Sequence, residues 1–307
     1  MSGPSPATPE IAECRIQAGG SCVIRTVPPV RPIALARRGL LGLVTLLTGC
    51  SPAALLNTTV PRKGFSLQAD IPYGSDSRQK LDLYLPETPR PDGKCALFFY
   101  GGSWDSGQKS DYLFVGQALV ARGVTTAIAD YRLYPEVRFP AFVEDGALAT
   151  RWTADKVGTE RLFVMGHSAG AEIASLLAAN TPYLAKVGVD RLKLRGFIGL
   201  SGPYDFLPLK SRRLIEVFGG ANRPEIQAIG FAVAPLPPAL LIHGTADTVV
   251  NARNSEQLAA AWRRAGAPVE LKLYPDVDHV DVVGSFADLL SRRAPTREDV
   301  LAFIDRT

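Results

Sequence analysis

The chain is poor in the residues on which much protein chemistry depends: three histidines, four cysteines and two methionines among 307 residues. Three of the cysteines, Cys14, Cys22 and Cys50, fall within the first fifty residues, and Cys95 stands alone in an apolar stretch. No Cys-x-x-Cys pair occurs, so neither a metal site nor a disulfide framework is expected. Charge of one sign is also scarce. The formal net charge is +4, but residues 1–49 carry five Arg against two Glu, leaving +1 over the remainder. A body so near neutrality offers no basic stripe, and nucleic acid is not an expected partner. What the chain does have is apolar residues, 46% of the total, enough for a sizeable core and too many for wholesale disorder.

The N-terminus reads as an address. Arg31, Arg37 and Arg38 precede an apolar run, Leu40 to Leu47, that ends in Thr48-Gly49-Cys50. The run is too short to cross about 30 Å of hydrocarbon as a helix. A positive segment, a short apolar segment and small residues describe an export signal over residues 31–50. Residues 1–30, rich in Pro, Gly and Ser and without periodicity, read as a disordered extension.

From Phe65 onward short apolar runs alternate with longer amphipathic ones. Strands are expected at 65–71, 80–85, 95–100, 124–129, 161–165, 197–200, 239–243 and 269–274, several of them continuous apolar runs covered on both faces. Helices are expected at about 111–122, 141–156, 169–180, 251–265 and 296–305. This rhythm implies one α/β domain over 65–307, with a mostly parallel sheet and helices on both faces. Residues 203–238 break the rhythm with several prolines and a single helical stretch at 209–218, and they read as a small lid.

Gly166-His167-Ser168-Ala169-Gly170 sits between an expected strand and an Ala-rich helix. That context makes Gly-x-Ser-x-Gly a nucleophile elbow, with Ser168 projecting above the sheet and the Ala169 N–H directed at developing negative charge. Serine needs a base, and imidazole is the usual one. His167 lies within the elbow, its side chain expected to point away from the hydroxyl, and His243 ends an apolar strand. His279, in the loop expected after the last strand, is the base by elimination. Its carboxylate partner is Asp247, because the order Ser168, Asp247, His279 is that of the α/β hydrolases. Asp276, Asp278 and Asp205 are weaker rivals. Tyr100-Gly101-Gly102-Ser103-Trp104 ends another strand, where glycines let backbone N–H groups approach a substrate oxygen. Cys95 reads as a buried, inert thiol.

These motifs resemble the bacterial carboxylesterases related to hormone-sensitive lipase and kynurenine formamidase, the BD-FAE-like group on the α/β-hydrolase fold. Asp130-Tyr131-Arg132-Leu133, Pro140 and Asp145 are similar to that group's segment after its fourth strand, and the resemblance spans roughly 65–305. It implies oxyanion donors at Gly101, Gly102 and Ala169, a pocket touched by Tyr100, Trp104 and His167, and no metal or other cofactor. Tyr100 replaces the family's His, whose part is to brace the loop by hydrogen bonding, as a phenol also does. Leu47-Thr48-Gly49-Cys50 resembles the bacterial lipobox, implying lipid attachment at Cys50 and a membrane-anchored envelope protein; a simple signal peptide or uncleaved anchor, with a periplasmic or secreted protein, is the alternative. The expected substrates are uncharged small-molecule esters with short acyl chains. The alternatives are an arylformamidase or other amidase with the same triad, and a non-catalytic envelope binding module.

Overall fold

A computed structural model describes residues 56–307 together with Cys14–Ile16 and Cys22–Ile24. Those two short strands pair antiparallel, where the sequence reads as a disordered extension. The export signal and Cys50 lie outside the described residues.

Eight strands form one sheet: β1 (Phe65–Pro72), β2 (Lys80–Pro86), β3 (Cys95–Phe99), β4 (Thr125–Ala129), β5 (Leu162–His167), β6 (Gly196–Leu200), β7 (Ala239–Gly244) and β8 (Val269–Tyr274). Their spatial order is β8-β7-β6-β5-β3-β4-β2-β1. β2 runs antiparallel to both neighbours, and every other pairing is parallel. β3, β5, β6 and β7 are buried at every position. Residue runs such as Cys-Ala-Leu-Phe-Phe, apolar throughout, fit strands with both faces covered.

The helices are α1 (Leu113–Val120), α2 (Ala141–Val157), α3 (Ala169–Ala179), α4 (Thr181–Lys186), α5 (Arg212–Phe218), α6 (Arg253–Arg264), α7 (His279–Gly284) and α8 (Thr296–Arg306). α1 packs on α8, while α2, α3 and α4 pack together. The Ala-rich sequence of α3 lets it lie close to the sheet and to α2. A Cβ on Gly146 of α2 would come within 2.8 Å of Ile173.

Three elements depart from the sequence reading. The expected helix from 111 opens instead as a single 3-10 turn, Lys109–Tyr112, before α1. In the insertion, α5 is followed by two 3-10 turns, Pro224–Ile226 and Ala228–Phe231. His279 opens a short helix rather than lying in a loop: Asp278 Oδ1 accepts from Val280 N at 2.9 Å and Asp281 N at 2.8 Å, capping it.

Candidate active site

Ser168 lies between β5 and α3 with φ 53° and ψ −121°, a region that costs a side-chain-bearing residue strain. The turn is held because Ser168 N donates to Leu200 O at 2.9 Å and Ala171 N to Ser168 O at 2.9 Å. The flanking glycines are obligatory. A Cβ at Gly166 would sit 2.1 Å from Gly170 O, and one at Gly170 would sit 2.1 Å from Phe99 O. Both obstacles are backbone, which cannot swing aside.

His279 Nδ1 is 2.7 Å from Asp247 Oδ2, and the Asp247 side chain is fully buried. Val249 N and Val250 N donate to Asp247 Oδ1 at 2.9 and 2.8 Å. His243, the strand-end imidazole, also reaches Asp247 Oδ2, through Nε2 at 3.2 Å. The same nitrogen is 2.9 Å from Val250 O, while Nδ1 is 2.7 Å from Ser255 Oγ. A proton on Nε2 serves both acceptors and leaves Nδ1 to accept from the Ser255 hydroxyl. Burial opposes ionisation of Asp247, but donors from His243, His279 and Val250 outweigh it and hold the carboxyl well below its usual range. The rivals are placed elsewhere: Asp278 caps α7, Asp276 is exposed, and Asp205 is held through its backbone N–H by Asn254 Oδ1 at 2.8 Å.

His167 packs against His279. Its ring lies 4.8 Å from the His279 ring, and its Nε2–H donates to His279 O at 3.0 Å, fixing the backbone of that residue. Burial, with His279 nearby, pushes the imidazole down to about 3, so it stays neutral. It also lines the pocket that Ser168 and His279 face.

Gly101 and Gly102 line the same pocket as Ser168 and His279, and Ala169 lies at the N-terminus of α3. Gly101 can carry no side chain, since a Cβ would come within 2.9 Å of Ser168 Cβ. Its backbone N–H faces the Tyr112 hydroxyl. Gly102 has φ 137°, and the two residues after it, Ser103 and Trp104, have φ 50° and 61°. Ser103 lines the pocket beside Gly102. The sequence reading missed Ser103, since a serine does not announce positive φ.

Tyr100 does not reach the pocket. It is fully buried beneath the loop, where its hydroxyl donates to Asp130 Oδ1 at 2.9 Å and accepts from Arg78 Nη2 at 2.8 Å. Arg78 also binds Gly107 O at 2.9 Å, and Tyr131 OH donates to Tyr100 O at 2.8 Å. The phenol thus ties both ends of the glycine loop to the strand-end Asp130. Trp104 is nearly buried; its Nε1 donates to Glu172 Oε2 at 3.2 Å, and its ring packs on Phe142, Phe206 and Phe218. Glu172 is fully buried with no ion-pair partner among the described residues, and burial raises its carboxyl well above the usual range. Cys95 is a free buried thiol, pushed up to about 12 by burial and therefore unreactive. Among the described residues no cluster of three or more His, Cys, Asp or Glu could hold a metal ion.

The BD-FAE family matches residues 81–262, more than half of the chain. The chain is similar to isoprenylcysteine alpha-carbonyl methylesterase ICME of Arabidopsis thaliana, 28% identical over 243 residues, covering 70% of this chain and 57% of the relative. It is 30% identical over 269 residues to esterase LipC of Mycobacterium tuberculosis, covering 76% and 64%, and 24% identical over 228 residues to kynurenine formamidase of Danio rerio, covering 71% and 76%. The chain thus spans little more than half the length of the plant relatives. Among solved structures, a hormone-sensitive lipase from a metagenome library superposes with a TM-score of 0.66 at 23% identity, covering 83% of this chain and 90% of that one. A carbohydrate esterase from gut microbiota gives 0.69 at 18% identity, covering 81% and 98%. Sheet order, elbow and family match agree: the chain has an α/β-hydrolase fold and belongs to the BD-FAE family.

Proposed function

We propose that the chain hydrolyses uncharged carboxylic esters through an acyl-enzyme on Ser168. The observation that carries this reading is the Asp247–His279 contact of 2.7 Å, with His279 and the strained Ser168 facing one pocket. Asp247 holds the proton of His279 on Nδ1, leaving Nε2 as the base. As Ser168 Oγ bonds to the carbonyl carbon, His279 takes its proton. The carbonyl oxygen becomes an oxyanion held by N–H groups from Gly102, Ser103 and Ala169, with Gly101 beside them, each donor contributing a few kcal/mol. His279 then protonates the departing alcohol, and water reverses the sequence to release the acid. The similarity to ICME and LipC, both named as esterases, supports the reading.

The formamidase relatives favour a second reading, in which the same groups cleave a formamide. Purified protein offered p-nitrophenyl acetate and N-formylkynurenine separates the two by their kcat/KM values. Higher specificity for the ester supports the first, and the reverse replaces it. A non-catalytic binding module would require Tyr100 to leave the glycine loop collapsed, and its hydrogen bonds to Arg78 and Asp130 weigh against that. Export and lipid attachment at Cys50 remain part of the proposal, supported by the lipobox-like Leu47–Cys50 segment. Incorporation of an alkyne fatty acid that is lost in Cys50→Ala tests it.

A further inference from the structure

Two chambers open on either side of Ser168. The first, about 390 Å³, is lined by His279, His167 and Gly102 and walled by Leu56, Phe114 and Val283. The second, about 770 Å³, is lined by Ala169 and Trp104 and roofed by Phe206, Leu207, Leu209 and Leu214 of the insertion. Among the described residues, only Ser103, Ser168 and Val249 border both. His279 borders the first and not the second.

That asymmetry has a chemical consequence. At the tetrahedral carbon one bond goes to Ser168 Oγ and one to the oxyanion. The third goes to the leaving oxygen, which must receive a proton from His279 as the C–O bond breaks. The alcohol therefore occupies the chamber that His279 lines. The fourth bond, to the acyl chain, points away from His279 and enters the other. Resting on the serine-esterase reading, we propose that the alcohol part binds in the smaller chamber and the acyl part in the larger one under the insertion, so that the preferred substrates are esters whose acyl part exceeds their alcohol part.

The roof of the acyl chamber is built in place. Asn254 Oδ1 accepts from Tyr204 N and Asp205 N at 2.9 and 2.8 Å, and Gln227 Oε1 accepts from Phe206 N and Leu207 N at 3.1 and 3.3 Å. Arg213 of α5 bonds Asp105 of the glycine loop at 3.0 Å and lies 4.1 Å over the Tyr134 ring. Phe206 also lies against Trp104, with ring centroids 6.3 Å apart. Lys210 and Asp205 are the charged residues of its lining among the described residues. This revises the expectation of short acyl chains, which rested on the length of the insertion; the space that the insertion encloses points the other way.

The test uses two ester series of equal size, methyl esters of lengthening acids and acetates of lengthening alcohols, with kcat/KM measured for each. The methyl series rises roughly fourfold for each methylene buried, over several carbons, while the acetate series levels off earlier. Leu214→Trp narrows the second chamber and lowers the ratio of long-acyl to long-alcohol turnover at least tenfold. Val280→Trp narrows the first and raises that ratio. Opposite shifts, or equal shifts in both series, overturn the assignment. Labelling of Ser168 by a fluorophosphonate in every variant separates the failures. With labelling intact, a reversed ratio removes the chamber assignment and leaves the esterase standing. With neither labelling nor turnover, both readings fall.

Discussion

Replacing Glu172 by Gln tests whether a carboxyl group is kept neutral in the heart of the fold. Glu172 is fully buried one helical turn after Ser168, and its contact is the Trp104 indole N–H at 3.2 Å. Its other oxygen has no partner. Asp145, equally buried, is answered by the Arg132 guanidinium at 2.7 Å, whereas Glu172 has no such cation. Burial therefore raises its carboxyl in the folded state well above 4.5. Above pH 4.5 the unfolded chain releases this proton and the folded chain keeps it, so the folded state binds more protons and stability falls with rising pH. The slope is about 1.4 kcal/mol per pH unit until the folded group itself ionises. Below 4.5 both states are protonated and the term vanishes. Glu172→Gln keeps the shape and the acceptor for Trp104 but removes the titration. Urea unfolding from pH 4 to 7.5 should therefore show the variant gaining on the wild type as pH rises above 4.5. Near pH 4 the two should agree within about 1 kcal/mol. Parallel stability curves across that range would refute the reasoning, because they would mean that Glu172 is equally charged in both states.

Two further outcomes follow from the site. Asp247→Asn should lower kcat by about 10⁴, since an amide no longer fixes the His279 proton on Nδ1. The depressed Asp247 carboxyl also stabilises the fold above its unfolded value of 3.8, a contribution lost as pH falls through the folded value. The variant's stability deficit, measured in urea at falling pH, should thus shrink in acid, the opposite trend to Glu172. Tyr100→Phe leaves Arg78 and Asp130 without their shared hydroxyl and should cost about 1–3 kcal/mol of stability. Steady-state kinetics of Tyr100→Phe should show kcat falling more than KM rises, with Tyr100→His restoring most of the loss.

Much of the site was legible because steric demand writes itself into sequence. Gly166 and Gly170 flank Ser168 since backbone oxygens stand 2.1 Å from where any Cβ would lie, so the elbow carries a recognisable spacing. His279 could be singled out because only three histidines compete, and Asp247 because it follows a strand and falls between Ser168 and His279 in the chain order of the fold. Other features leave no linear trace. The His243 contact with Asp247 joins residues that read as a packed strand end and its following loop. The brace at Tyr100 draws on Arg78, Asp130 and Tyr131 from separate segments. The two chambers are assembled from several distant stretches, so neither their volumes nor their division around Ser168 could be read from the length of the insertion. Short helices such as α4 and α7, six residues each, lack the periodicity that marks longer ones.

The central claim is that Ser168 carries the acyl group between alcohol release and hydrolysis. Rapid acid quench of the protein with a p-nitrophenyl ester, followed by intact mass and peptide mapping, measures this directly. The account predicts a mass increase equal to the acyl group, located on the peptide containing Ser168 and absent in Ser168→Ala. Turnover that survives in Ser168→Ala, or an acyl group mapped to another residue, would contradict it.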